Sequence, residues 1–237
     1  MTDDIPHWIP SAARVAAAQL TEFHAFARRC GAPAGDYSSL WQWSVDEPAA
    51  FWSAIFDFAG VIADRGPGPV LRNGERMPGA TWFEDTRLNF AENLLRGTGS
   101  GPAIIARDEH GRRREVSWEQ LRAEVARVAD GLRAAGIVAG DRVAGFLPNL
   151  PEAIVAMLAT ASLGATWSSC SPDFGIRGVL DRFGQIAPKV LFTADGYCYG
   201  GKTLDSIERI AGILESLPSV RCVVVVANVS PRPDLAR

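Results

Sequence analysis

Residues 196–203 have the types and spacing of a phosphate-binding loop. They read GYCYGGKT, which satisfies the pattern G-x-x-x-x-G-K-[ST] between a predicted strand and a predicted helix. In such a loop, backbone N–H groups surround the phosphates, the lysine meets the terminal phosphates and the hydroxyl holds Mg²⁺. Two features argue against it: Tyr197 and Tyr199 are bulky where a tight turn needs small residues, and the next strand runs into Asn228 rather than a metal-binding acid. Three interpretations stay open: a P-loop phosphotransferase, a chance match on a surface loop, or another phosphate-contacting loop that uses Lys202.

A second segment, residues 164–175, could also bind a ligand. Its sequence, GATWSSCSPDFG, places hydroxyls, an acid and glycines where a predicted strand ends and a predicted helix begins. Ligands of open α/β sheets bind beyond the carboxyl ends of the strands. An ordinary strand-to-helix turn with Ser171 or Asp173 as the helix cap fits the same residues equally well, because caps and ligand loops use the same residue types.

The cysteines and histidines form no motif in the sequence. The four cysteines have no C-x-x-C pair and no histidine at ligand spacing; they are Cys30, Cys170, Cys198 and Cys222. The three histidines (His7, His24 and His110) share no motif with a nucleophile. We therefore expect ordinary reduced thiols and neither a Ser-His nor a Cys-His site, since no element brings such residues together in the sequence.

Composition excludes several classes of partner. With 24 basic and 27 acidic side chains in 237 residues, the net charge of −3 gives no electrostatic footprint for nucleic acid. The N-terminus begins with two acids and does not read as a secretory signal. No apolar run of about 18 residues occurs, so we expect no membrane partner. We interpret the chain as globular and cytoplasmic.

The first hundred residues are irregular and rich in tryptophan. Helices are predicted over residues 12–29, over 49–58 with Pro48 in the first turn, and over 88–95. Five tryptophans are expected to be packing residues of the core: Trp8, Trp41, Trp43, Trp52 and Trp82. A turn-forming stretch at residues 97–102 suits a linker.

Regular alternation of strands and helices follows that stretch. Strands are predicted at residues 103–106, up to 116, 142–147, 165–169, 189–194 and 222–227. Helices are predicted at residues 117–135 (opened by a capping box), 151–163, 176–186 and 204–217. The run of four valines in the last strand is typical of a strand covered on both faces. The pattern predicts an α/β fold: a helical, tryptophan-rich N-terminal extension followed by the start of a doubly wound, mostly parallel sheet.

Several longer motifs are similar in wording and order to the acetoacetyl-CoA synthetases. They are WSSCSPDFG at residues 167–175, VLDRFGQI at 179–186, LNFAENLL at 88–95 and YSSL at 37–40. The motifs GDRV at 140–143 and PN at 148–149 are shared more broadly, across the acyl-adenylate-forming enzymes. The likeness covers residues 8–226.

The resemblance implies an acid–thiol ligase that uses ATP, Mg²⁺ and CoA. It converts acetoacetate, ATP and CoA to acetoacetyl-CoA, AMP and pyrophosphate through an acyl-adenylate. Acetyl-CoA synthetases carry a different loop where this chain has Ser171, Pro172 and Asp173, and this favours the acetoacetate branch. By the same resemblance those three residues and Lys202 contact CoA, whereas Tyr199 stands where arginine is usual in the acetyl branch.

The resemblance also predicts the domain organisation. Residues 1–97 correspond to the N-terminal region of acetyl-CoA synthetases, and residues 98–237 to the first part of the AMP-binding domain. The family's ATP loop, ribose-binding acid and catalytic lysine have no match here, so we assign no catalytic residue and expect the chain to need the missing C-terminal part as its partner. A truncated, non-catalytic remnant is the alternative, and the P-loop phosphotransferase is the third.

Overall fold

The computed structural model describes residues 7–235. The chain divides into two compact units, an N-terminal unit of Met1–Leu88 and a sheet unit of Asn89–Arg237. The described part of the N-terminal unit contains four helices and two very short strands: α1 (Ala12–Ala16), α2 (Gln19–Arg29), α3 (Tyr37–Asp46), α4 (Pro48–Phe58), β1 (Leu71–Arg72) and β2 (Thr81–Trp82).

The predicted helix at residues 12–29 is two helices. Ala18 has an extended backbone and α1 ends just before it, so the chain breaks between the two segments. Helix α3 was not predicted; it begins where the Asp36 carboxylate accepts the Ser39 N–H at 3.2 Å. The prediction for α4, with proline in its first turn, is confirmed.

The prediction that five tryptophans pack in the core is wrong for four of them. Trp43 is buried, but Trp8, Trp41, Trp52 and Trp82 are all classed as exposed. The core of this unit is small because few side chains converge on it: Phe23, Ala27, Ala32, Leu40, Trp43 and Ala54. Edge-on aromatic contacts, such as Phe23 with Phe51 at 5.8 Å between ring centroids, hold α2 against α4.

The sheet unit alternates strands and helices as predicted. Its helices are α5 (Phe90–Leu94), α6 (Trp118–Ala134), α7 (Pro151–Ser162), α8 (Ile176–Ile186) and α9 (Ile207–Glu215). Its strands are β3 (Pro102–Arg107), β4 (Arg113–Ser117), β5 (Arg142–Phe146), β6 (Thr166–Cys170), β7 (Val190–Ala194), β8 (Gly196–Tyr199), β9 (Lys202–Asp205) and β10 (Cys222–Val226). The capping box of α6 is present, with Ser117 and Gln120 satisfying each other's backbone N–H groups.

Four strands form a parallel sheet in the order β10-β7-β5-β6. Consecutive residues of β5 alternate between the two faces: Val143 joins a core with α6 and α7, and Ala144 joins a core with α8 and α9. The predicted doubly wound α/β sheet is therefore confirmed. Strand β10 is only half-buried, contrary to its predicted cover on both faces, because β7 is its one described neighbour in the sheet.

Two antiparallel hairpins flank the parallel sheet. One pairs β3 with β4, and the other pairs β8 with β9. The second hairpin occupies residues that were predicted to lead into a helix at residue 204; α9 instead begins at Ile207. Gly196 pairs with Asp205, and Tyr199 pairs with Lys202. The backbone groups at the start of the expected helix therefore bond across the hairpin and are not available for helical hydrogen bonds.

Candidate functional site

The carboxyl edge of the parallel sheet carries a cavity of about 680 Å³. One wall comes from the loop after β5, including Pro148 and Asn149. Strand β8 and the end of β10 contribute Cys198 and Asn228, and the β3–β4 hairpin closes the other side. Open parallel sheets bind ligands in crevices beyond the carboxyl ends of their strands. The cavity is therefore the candidate ligand site of this unit.

Four arginines line the cavity, but three of them are paired with carboxylates. Arg112 is paired with Asp108, Arg113 with Glu115, and Arg114 with Glu152 of α7 at 2.7 Å. Arg107, the fourth lining arginine, forms no such pair among the described residues. Most of the positive charge is thus already neutralised within the protein.

The loop that contains Ser171, Pro172 and Asp173 lies where the sequence predicted it, directly after β6 and before α8. Ser171 and Asp173 are exposed, while Pro172 is buried. The Pro172 carbonyl accepts a hydrogen bond of 2.6 Å from the Arg209 guanidinium of α9. Arg182 lies over the Phe174 ring, 4.3 Å from its centroid. The loop is therefore held from two helices while its polar side chains face solvent.

Cys170, the last residue of β6, lies beneath this loop. Burial raises the pKa of its thiol to about 11; the nearby Arg182 lowers it and the Asp173 carboxylate raises it further. At neutral pH this thiol is protonated and unreactive. Its position next to Ser171 accordingly contributes packing to the loop and no nucleophile.

The P-loop interpretation of residues 196–203 is wrong. A P-loop passes from a strand through a glycine-rich loop into a helix, whereas this segment forms an antiparallel hairpin with Gly200 and Gly201 as its two-residue turn. Both glycines have positive φ, +59° and +74°, which is the conformation of a tight hairpin turn. Lys202 begins β9 instead of a helix, so it does not stand at the helix N-terminus that a P-loop requires.

The hairpin turn is nevertheless an anion-binding nest, and a carboxylate of the same chain fills it. The N–H groups of Gly200 and Gly201 each donate to one oxygen of Glu109, both at 3.2 Å. Glu109 lies in the turn between β3 and β4. Consecutive N–H groups in such a turn converge on an anion. The structure thus identifies an anion site beside Lys202 that the sequence pattern suggested for the wrong reason.

The predicted CoA-contacting residues come from two segments of the chain. Ser171, Pro172 and Asp173 follow β6, and Lys202 begins β9 directly after the turn that joins it to β8. No hydrogen bond or ion pair between described residues joins Lys202 to Ser171 or Asp173. Helix α9 provides the one described link, since it follows β9 and its Arg209 reaches Pro172.

Sequence reasoning missed Asp195, which directly follows β7. Its side chain is 3% exposed, and its carboxylate accepts backbone N–H groups of Asn228, Val229 and Ser230 at 2.7, 3.0 and 2.8 Å. The carboxylate thereby fixes the loop after β10 against the β7–β8 junction, beside the cavity. An acid directly after a buried strand was the available signal.

One histidine lies next to a cysteine, a contact that the sequence did not indicate. His110 Nε2 lies 3.3 Å from Cys198 Sγ, because the β3–β4 turn folds over the β8–β9 hairpin. The two residues are 88 positions apart, so sequence spacing could not reveal the pair. All four cysteines are free, as predicted.

Metal-binding clusters and membrane-spanning helices are both missing from the part of the chain that the structure describes. In residues 7–235, no group of three or more His, Cys, Asp and Glu side chains could hold a metal ion. Among those same residues, no helix combines the length and apolar character needed to cross a bilayer.

Comparison with known proteins settles the family. The family model described as "AMP-binding enzyme" matches residues 92–236, which is more than half of the chain and nearly all of the sheet unit. The chain belongs to the AMP-binding enzyme family. A second model, "Acetyl-coenzyme A synthetase N-terminus", matches residues 37–94.

Individual proteins similar to this chain are named as acyl-CoA synthetases. Acetoacetyl-coenzyme A synthetase of Rhizobium meliloti (strain 1021) is 47% identical over 229 residues, covering 96% of this chain and 35% of that protein. A malonamoyl-CoA synthetase of Penicillium aethiopicum is 40% identical over 201 residues, covering 82% and 28%. The solved acetoacetyl-CoA synthetase from Streptomyces lividans has a TM-score of 0.89 and 45% identity, covering 95% and 36%. The chain spans about a third of the length of these relatives.

Proposed function

We propose that this chain is the N-terminal part of an acid–thiol ligase that joins acetoacetate to CoA. The overall reaction converts acetoacetate, ATP and CoA to acetoacetyl-CoA, AMP and pyrophosphate. The observation that carries the proposal is the match to acetoacetyl-CoA synthetases over nearly the whole chain, at 47% identity in sequence and a TM-score of 0.89 in structure. Free cysteines throughout support a cytoplasmic location.

The names of the relatives also suggest a substrate class. Acetoacetyl and malonamoyl groups both have a carbonyl at the carbon β to the thioester. The β-carbonyl carbon carries a methyl group in the first and an amide nitrogen in the second. A short carboxylic acid with a β-carbonyl is the class that both names share. We propose that class for this protein, with acetoacetate as its preferred member.

We propose that this chain binds CoA and that other polypeptide binds ATP. The sheet edge offers Ser171, Pro172, Asp173 and Lys202 to the nucleotide end of CoA. ATP, with Mg²⁺, supplies the adenylate that activates the carboxylate. We propose that its binding groups come from polypeptide corresponding to the two thirds of the relatives that this chain does not span. Residues 1–97 and 98–237 would then act as the acetyl-CoA-synthetase-type N-terminal region and the first part of the AMP-binding domain.

The sheet edge can take an anion in a specific way. An anion at the β8–β9 turn would be neutralised by the exposed Lys202 ammonium and could accept the N–H groups of Gly200 and Gly201 in place of Glu109. Phosphate groups of CoA have the required charge and acceptor oxygens.

A hybrid enzyme tests the activity. This chain replaces the matching third of the Rhizobium meliloti relative, and thioester and AMP are measured with acetoacetate, ATP and CoA. We expect the hybrid to form acetoacetyl-CoA and AMP, and the 237-residue chain alone to form neither above a no-enzyme control. A folded hybrid that is inactive with acetoacetate and with malonamate, or a chain that is active alone, contradicts the proposal.

Calorimetric titration of CoA into the chain tests the binding site separately. Lys202→Ala should weaken CoA by roughly 1–2 kcal/mol, the scale of one partly exposed charge-assisted hydrogen bond. Arg133→Ala, on an exposed face of α6, is the matched loss of a cation and should leave the affinity unchanged. If both variants lost the same affinity for CoA, the effect would be one of net charge, and Lys202 would not belong to the binding site.

A further inference from the structure

A cysteine and a histidine meet beside the cavity. Cys198 Sγ lies 3.3 Å from His110 Nε2 and 3.8 Å from Thr203 Oγ1. Cys198 is half-buried on β8, and His110 is exposed in the turn between β3 and β4. A thiol that can pass its proton to an adjacent imidazole becomes a stronger nucleophile, because the thiolate is the reactive form.

The histidine is held in place by its own turn. Its neighbour Glu109 accepts the N–H groups of Gly200 and Gly201, which fixes the β3–β4 turn to the β8–β9 hairpin. Within the turn, the Asp108 carboxylate accepts the His110 backbone N–H at 3.0 Å. These contacts fix the backbone that carries His110, and an imidazole held beside a thiol in this way can act as its base.

The other charges near the sulfur do not compete for this role. The Arg112 guanidinium, which shares a pocket with Cys198, is already paired with Asp108. The Thr203 hydroxyl is a much weaker base than an imidazole and cannot take the thiol proton. The imidazole of His110 is therefore the group that can.

The sulfur is accessible to small molecules. Cys198 and His110 line a pocket of about 280 Å³, and Cys198 also lines the larger cavity at the sheet edge. A pocket of that size admits a reagent of a few heavy atoms. A group attached to Cys198 would lie at the border of the two spaces.

The other three cysteines differ from Cys198 in ways that matter for reactivity. Cys170 is buried, with a pKa raised to about 11. Cys30 is exposed just after α2 ends, and no hydrogen bond between described residues joins its thiol to a histidine. Cys222 is half-buried in β10.

We propose that Cys198 is a nucleophilic thiol that small, uncharged electrophiles modify, with His110 as the base. In the reaction with an alkylating agent, the Cys198 S–C bond forms as the bond to the leaving group breaks. The leaving group departs with its electron pair. The thiol proton passes to His110 Nε2 and then to water. This chemistry needs neither ATP nor CoA and is independent of the ligase assignment.

Iodoacetamide is the probe, at neutral pH and limiting dose, with the alkylation rate of each cysteine measured by peptide mass spectrometry. Cys198 should react roughly fivefold or more faster than Cys30, although Cys30 is the more exposed residue. His110→Ala and His110→Gln should both remove that advantage and leave the Cys30 rate unchanged. Added imidazole should restore the Cys198 rate in His110→Ala.

Two results would overturn the proposal. One is a wild-type Cys198 that reacts no faster than Cys30, and the other is a Cys198 rate that survives both His110 substitutions. Cys170 reports on folding in every sample, because unfolding would expose its thiol and raise its rate. If both variants unfold by that criterion, the wild-type ratio of Cys198 to Cys30 decides alone.

Discussion

The two units contain similar side chains but bury them differently. Large side chains of the sheet unit such as Phe146 and Phe183 are 1% and 0% exposed, whereas Trp41 and Trp52 of the N-terminal unit are 54% and 46% exposed. A parallel sheet with helices on both faces surrounds its side chains from two directions. Short helices joined by long irregular segments cover only one face at a time. The aromatic content of a segment therefore says little about how deeply its side chains are buried. Burial depends on whether regular elements cover those side chains from more than one side.

The largest expected effect is a core truncation in the sheet unit. Phe146→Ala should destabilise the chain by about 3–5 kcal/mol, because it removes a fully buried ring and leaves a cavity between β5, α8 and α9. Trp41→Ala removes an even larger side chain from the N-terminal unit and should cost less than about 1 kcal/mol, since the ring is exposed. Urea unfolding measures both. Similar costs for the two substitutions would refute the comparison.

Loss of a buried carboxylate should come next. Asp195→Ala leaves the backbone N–H groups of Asn228, Val229 and Ser230 without their acceptor, which should cost about 2–3 kcal/mol. Exposed Asp36 caps α3 in the N-terminal unit through one backbone N–H, so Asp36→Ala should cost only about 1 kcal/mol. Thermal unfolding followed by circular dichroism gives the ranking. A larger loss for Asp36→Ala would reverse it.

Two serine caps provide a closer match between the units. Ser117→Ala removes half of the capping box of the 17-residue helix α6 and should cost about 1 kcal/mol. Ser11→Ala removes the cap of α1, a five-residue helix with no buried residue, and should cost no more than a few tenths of a kcal/mol. Equal effects in urea unfolding would show that cap strength is independent of the packing behind it.

A further contrast between the units depends on pH. Asp141 lies 2.7 Å from Lys189 and accepts the Val138 N–H, and these two contacts, the lysine first, lower the pKa of its carboxyl. A lowered pKa means that the ionised form favours the folded state. The stabilisation is therefore complete above the unfolded pKa of about 3.9 and is lost as the pH falls below it.

Asp141→Asn should accordingly lower the melting temperature at pH 7, and the difference from wild type should shrink below about pH 4. The exposed pair of Arg72 and Glu84 in the N-terminal unit is the control, and Glu84→Gln should change little at either pH. Melting curves between pH 3 and 7 measure both. A difference for Asp141→Asn that grows toward acid would contradict the assigned direction.

Periodic patterns made most of the sheet unit predictable. The spacing of Leu121, Val125 and Leu132 identified the buried stripe of α6, and the Ser117–Gln120 pair located its start. Strand positions followed from apolar runs between turn residues. The N-terminal unit was harder to predict, because α1 and α2 are separated by two alanines, one of them extended, that carry no sequence signal.

The candidate site was predictable only in part. The loop with Ser171 and Asp173 lies where strand and helix signals placed it, and its contact with CoA stays a prediction, as does that of Lys202. Residues 196–203 matched a phosphate-loop pattern, but that pattern specifies residue types and does not specify which backbone groups pair with each other. Once Gly196 pairs with Asp205, the segment is a hairpin and its lysine cannot begin a helix.

The sequence alone determined the class of fold, the family likeness and the position of most regular elements of the sheet unit, because helix and strand periodicity are local properties of the chain. The tertiary structure alone decided which polar groups meet. Glu109 reaches Gly200 and Gly201, and His110 reaches Cys198, across about ninety residues of intervening chain. Such contacts depend on how two hairpins dock at the sheet edge, and no spacing within either hairpin records the other.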